Sequence, residues 1–213
     1  MDEEISIINN ETKKEKVLNF FKNNKKKLFL LLIILILIPF SIFSYQIIKD
    51  KNKDKLSSKF NLAVSSYENG NKSEIKSIMK DIINNKDKTY SPLALYFLID
   101  NDIKLTNEEV NNYFDIIINE INLDKEIKNL NIYKKGLFNS SFVSENELLL
   151  ILKPVINSDS LWKPHALILL GEYFLDKNQN QKAKEFFNQI LNIENTNEQL
   201  KIEAKKRLVN ISE

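Results

Sequence analysis

The stretch Trp162-Lys-Pro-His-Ala-Leu-Ile-Leu-Leu-Gly171-Glu-Tyr-Phe174, followed by Ala183 and Phe187, decides the fold. Its apolar residues recur at three and four, the spacing of one helix face. The spacing predicts helices over 161–177 and 180–192. Gly171 lets these two approach closely, Ala183 keeps their crossing tight, and Phe174 and Phe187 fill the gap between them. Upstream, Tyr90-Ser-Pro-Leu-Ala-Leu95 aligns with Trp162-Lys-Pro-His-Ala-Leu167 at aromatic, proline, alanine and leucine, 72 residues earlier. Gly136 precedes Gly171 by 35, and Leu148 and Leu152 sit where Ala183 and Phe187 sit one period later. Val64 and Tyr67 echo Gly171 and Phe174.

Between these landmarks the same periodicity continues. It predicts helices near 55–69, 73–84, 91–101, 106–120, 124–138, 144–157 and 196–211, with no sustained period-two alternation. Turn residues separate them: Asn69-Gly70-Asn71, Asn84-Asn85, Asn139-Ser140-Ser141, Asn157-Ser158-Asp159 and Asn178-Gln179-Asn180. Ser91-Pro92 offers an N-cap and a proline-tolerant first position, and Ser144 with Glu147 fits a capping box. A period near 35 is close to the ~34 residues of a helix–turn–helix solenoid repeat, in which stacked units supply one another's core. The expected fold class is all-α: about four degenerate helix pairs over 57–213, closed by 196–211 as a cap.

In front of this domain, Leu28 to Ile48 reads LFLLLIILILIPFSIFSYQII, 21 uncharged positions of which 16 are Leu, Ile or Phe. A helix of this length spans roughly 30 Å, a bilayer's hydrocarbon thickness. Pro39 is tolerated in such a helix as a kink, and Tyr45 suits a headgroup zone. A cleaved signal peptide has a shorter apolar run ending in small residues, unlike Ser44-Tyr45-Gln46-Ile47-Ile48. Seven lysines lie in the 15 residues before the span and five in the 15 after it. This bias favours a cytoplasmic N-terminus. The expected order is a cytoplasmic tail at 1–27 with a polar start to about residue 14, a membrane helix at 28–48, a linker at 49–56 that continues this helix, and a periplasmic domain at 57–213.

Composition removes much chemistry. The 213 residues contain no cysteine, one histidine (His165) and three glycines, Gly70, Gly136 and Gly171. Thiolate catalysis, disulfides and clustered His/Cys metal sites are excluded within one chain, and glycine-rich phosphate loops are absent. Residues 49–213 carry 24 basic and 24 acidic side chains, so no basic face is expected for nucleic acid. Lysine, at 30 residues against a single arginine (Arg207), follows an Asn- and Ile-rich bias and by itself points to no partner. Glu108-Glu109 are consecutive and point to different sides of a helix. The reading is of a non-enzyme with no cofactor, metal, small-molecule substrate or nucleic-acid partner. Glu172 as the general acid of a periplasmic hydrolase is a remote alternative.

What remains is surface. If the first helix of each pair lines a concave face, its residues include Leu93, Tyr96 and Asp100 from one helix and His165, Ile168, Glu172 and Leu175 from another. Mixed apolar and polar groups there suit a peptide.

The last unit's spacings resemble the tetratricopeptide repeat, with Leu167 in place of the expected aromatic and Asn195 in place of proline. The whole layout resembles the ancillary translocon-subunit family of proteobacterial inner membranes. The local likenesses are Val17-Leu-Asn-Phe-Phe-Lys22, Tyr90-Ser-Pro-Leu-Ala94, Leu161-Trp-Lys-Pro-His-Ala166 through Leu170-Gly171, and Ala204-Lys-Lys-Arg-Leu208. That resemblance implies association with the Sec translocon and periplasmic chaperones in handling exported polypeptides. It offers no catalytic residue. A structural scaffold for another envelope complex, in cell division or cofactor maturation, shares every one of these features.

Overall fold

The computed structural model describes residues 15, 16, 18–67, 72–194 and 196–211. The described residues are helical, without strands. The helices are α1 (Lys25–Ser65), α2 (Lys72–Asn84), α3 (Tyr90–Asp100), α4 (Asn107–Asp115), α5 (Lys125–Asn139), α6 (Glu145–Ile156), α7 (Lys163–Asp176), α8 (Asn180–Leu191) and α9 (Glu198–Asn210). A π-helical turn, Ile116–Glu120, continues α4. The chain divides into two units, Met1–Lys55 and Leu56–Glu213.

The first unit holds most of α1, a helix of 41 residues with Pro39 inside it. Phe29, Leu35, Phe40 and Phe43 are each more than 60% exposed. Pro39 gives no N–H to the carbonyl four residues before it, and Ser41 Oγ donates to the Leu37 carbonyl oxygen nearby at 2.8 Å. One helix is therefore long and apolar enough to cross a membrane. The linker expected at 49–56 is part of this same helix, and the separate helix expected at 55–69 is its end, at Ser65. No proline or glycine interrupts 49–65, so nothing breaks the helix there. The Asn69-Gly70-Asn71 separator lies outside the described residues, as do residues 1 to 14.

In the second unit the core runs from Ala63 and the α2 residues Met79, Ile82 and Ile83 to Phe187 and Ile190 of α8, with Ala204 last. Burying each large side chain contributes roughly 1.5–3 kcal/mol. Helices pack in chain order: α2 on α3, α5 on α6, α6 on α7, α7 on α8 and α8 on α9. From α2 onward the observed bounds agree with the expected ones within two residues, apart from the π turn that ends α4. That turn carries two consecutive buried isoleucines, Ile117 and Ile118.

Two capping boxes fix helix starts. Ser144 and Glu147 form the expected one: Glu147 N–H donates to Ser144 Oγ at 3.4 Å, and Ser144 N–H donates to Glu147 Oε2 at 3.0 Å. Thr106 and Glu109 form a second before α4, at 3.1 and 3.0 Å. The α3 start differs from expectation. Ser91 lies inside the helix, fully buried, and its hydroxyl donates to the Ile82 carbonyl at 3.0 Å. Asp87 takes the capping role, its Oδ1 accepting from the N–H groups of Thr89 and Tyr90 at 2.8 Å each. A carboxylate is the stronger acceptor at a positive helix end, which frees Ser91 to tie α3 to α2.

Glu109 also pairs with Lys80 of α2. The Lys80 hydrogen bond first, then the Thr106 N–H, hold its carboxyl below the ordinary 4.5. A carboxyl lowered in the fold adds stability above its unfolded value and loses it as pH falls through the folded one. Urea midpoints are therefore expected to fall more in the native chain than in Glu109→Gln between about pH 6 and pH 3. Equal falls would contradict this role.

Close crossings stand where the sequence places them. A Cβ on Gly171 would lie 2.5 Å from Cε1 and Cζ of buried Phe187, and one on Gly136 would strike Leu152. Ala183 is fully buried beside them. At the first unit of the series the register is one residue off: Val64 is exposed, and Ala63, 2% exposed, is the small buried residue. A β-branched side chain does not fit a close helix crossing, and alanine does. Asn178 has a left-handed φ of 59°, which suits asparagine at the turn between α7 and α8.

Several hydrogen bonds join residues 34 to 37 apart, beside others that join residues 28 to 30 apart. Tyr67 Oη donates to the Asn101 carbonyl at 3.0 Å, 34 residues on. Tyr96 Oη donates to Asn131 Oδ1 at 2.7 Å, 35 on. Glu126 Oε2 accepts from Ser160 Oγ at 2.7 Å and from Leu161 N–H at 3.0 Å, 34 and 35 on. Lys182 donates to Glu145 at 2.6 Å, 37 apart.

Candidate protein-binding surface

The residues expected on a concave face fall on α3 and α7, and α5 links the two groups. On α3, Leu93 is 41% exposed and Asp100 is exposed. Tyr96 is half-buried. Its hydroxyl is held by Asn131, and Lys134 Nζ stands 4.2 Å from its ring centroid. Burial first, and then the Asp100 charge, push the Tyr96 phenol far above its usual value. Asn131 is fully buried and also donates to the Ile127 carbonyl at 2.7 Å.

On α7, His165 lies 5.2 Å from Trp162 and 5.9 Å from Tyr133 of α5, ring centroid to centroid. Trp162 and Tyr133 stack at 5.8 Å with 19° between planes. Burial and then Glu203 of α9 raise the Tyr133 phenol. Ile168 and Leu175 are half-buried against the core. Glu172 Oε1 meets Arg207 Nε of α9 at 2.5 Å, both atoms shut off from solvent, as an ion pair without the alignment of a hydrogen bond. Arg207 also approaches Glu203 at 4.0 Å. The chain's single arginine thus sits between two carboxylates, where a flat guanidinium serves better than an ammonium.

The result is a row of side chains across α3, α5, α7 and α9, tied helix to helix by its own members. Leu93 and Asp100 are its open points, whereas Tyr96, His165 and Glu172 are engaged. Sequence reading missed Asn131, Tyr133 and Lys134, which supply the α5 contacts to Tyr96 and His165. The signal was present: Tyr133 follows Tyr96 by 37 and precedes Ile168 by 35. No group of three or more His, Asp or Glu side chains that could hold a metal occurs among the described residues.

Tyr96→Phe removes the hydroxyl that donates to buried Asn131 Oδ1. It is expected to cost about 1–3 kcal/mol, because an orphaned buried acceptor loses water without compensation. Chemical denaturation measures this, and a loss near zero would show the link to be idle.

No protein-family model, no curated protein and no solved structure matches the chain.

Proposed function

We propose that this is a single-pass membrane protein whose second unit is a degenerate tetratricopeptide-like solenoid that binds protein partners. The observation that carries the reading is the repeated close crossing, Gly136 on Leu152 and Gly171 on Phe187, each member displaced by 35 residues. Hydrogen bonds at 34 to 37 residues support it, since stacked units of one length bring equivalent residues into contact. The apolar stretch of α1 supports the anchor, because exposed leucine, isoleucine and phenylalanine on every side suit lipid and not water.

The lysine bias puts the N-terminus in the cytoplasm and the solenoid in the periplasm of an inner membrane. The partners are exported polypeptides or chaperones near the Sec translocon. A reporter active only outside the cytoplasm, fused after Glu213, is expected to be active, with the chain in the membrane fraction. A silent reporter would reverse the topology and remove exported chains as partners. A passive scaffold for another envelope complex is the second reading. It is favoured by the engaged state of Tyr96, His165 and Glu172, which leaves less of the row free for capture.

A further inference from the structure

A cleft of about 910 Å³ opens between the start of α7 and the start of α9. Leu161, Pro164, Ile193 and Leu200 give it an apolar lining, and Leu161 is 74% exposed. Thr196, only 9% exposed, lines the same cleft, and its Oγ1 is buried without a hydrogen-bond partner. Nδ1 of His165, another lining residue, is in the same condition. Both atoms are shut off from solvent, so they lie behind the wall of the cleft, and the surface it offers is the apolar lining and the charges at its edge. At the rim, Asp159 and Glu194 are exposed and make no ion pair among the described residues, against one unpaired ammonium, Lys163.

We propose that this cleft is a second binding site, for an extended polypeptide segment in which an apolar residue is flanked by lysine or arginine. The apolar side chain seats on Leu161 and Ile193. The segment's cationic side chain meets Asp159 and Glu194. The surplus of carboxylates sets the sign: it attracts a basic segment and repels an acidic one or a phosphate backbone. The site meets the row on α3, α5 and α7 at His165, otherwise uses residues outside it, and does not rest on the topology proposed above.

Trp162, the only tryptophan, packs its ring against the lining residue His165 at 5.2 Å between centroids, so its emission serves as the readout. The full chain in detergent is titrated with acetyl-Leu-Lys-Leu-Lys-amide and acetyl-Leu-Glu-Leu-Glu-amide while Trp162 emission is followed. A saturable change with the lysine peptide is expected, with binding of the glutamate peptide about tenfold weaker or absent. Asp159→Lys with Glu194→Lys should reverse that preference, and Leu161→Asp should abolish the change with the helical circular dichroism intact. Equal response to both peptides, no saturable response to the lysine peptide, or an unaltered preference in the charge-reversed chain would overturn the proposal.

Discussion

Gly171→Leu is expected to unfold the end of the second unit, and Gly171→Ala to destabilise it. The first added carbon already falls 2.5 Å from two atoms of the Phe187 ring, which is itself fully buried and stands across from α7 on α8. Overpacking of this kind typically costs about 1–3 kcal/mol, and a leucine adds three more carbons in the same direction. Alanine recovers roughly 1 kcal/mol through its better helix propensity, so the alanine variant retains a folded state and the leucine variant approaches the limit of a small domain's stability. Gly136→Ala should cost less, because its added carbon meets the flexible end of Leu152. Phe187→Leu should partly rescue Gly171→Ala, a coupling that a double-mutant cycle isolates. The check is chemical denaturation of the full chain in detergent, followed by circular dichroism. A Gly171→Leu chain with native stability would mean that α7 and α8 do not cross as described.

The second large effect concerns the apolar stretch of α1. With 16 Leu, Ile and Phe residues, insertion gains roughly 0.3–0.6 kcal/mol from each, or several kcal/mol in sum. One lysine near the helix centre costs roughly 2.5–3.5 kcal/mol, so Ile38→Lys alone should leave most of the chain in the membrane, whereas Leu35→Lys with Ile38→Lys should cancel the gain. Deletion of 28–48 should release the chain entirely. Alkaline carbonate extraction reads the outcome directly: the native chain stays in the pellet and the double-lysine and deletion chains move to the supernatant. Equal extraction of all chains would exclude α1 as an anchor.

Much of this architecture is readable from residue order, and the reasons for the exceptions are physical. The helices of the second unit announce themselves because apolar residues at three and four have no other use in so polar a chain. Gly136 and Gly171 are informative because glycine inside a helix is costly unless a neighbour needs the space. The Val64 register was one residue off because Ala63 and Val64 are both apolar, and only packing shows which of them meets a neighbouring helix. Ser91-Pro92 looked like a helix start by residue type, yet Asp87 is the better acceptor and takes the cap. The stretch 49–56 is expected to continue the membrane helix, and the helix expected at 55–69 is the end of that same helix, since no proline or glycine separates the two. The candidate surface was the least legible part. Leu93, Tyr96, Asp100, His165, Ile168, Glu172 and Leu175 lie on the two helices expected of them, but what Tyr96, His165 and Glu172 touch comes from α5 and α9. The pairing of Tyr96 with Asn131, or of Glu172 with Arg207, joins residues 35 apart whose types alone carry no mark of partnership.

The central claim is that the side of the second unit bearing Leu93 holds other polypeptides while α1 sits in a membrane. Photocrosslinking in native membranes tests it at residue level. A photoreactive amino acid at Leu93, exposed on α3, is compared with one at Leu150, 70% exposed on α6. The account predicts a discrete protein adduct from position 93 and none from position 150. Adducts of the same kind and yield from both positions, or from neither, would contradict it.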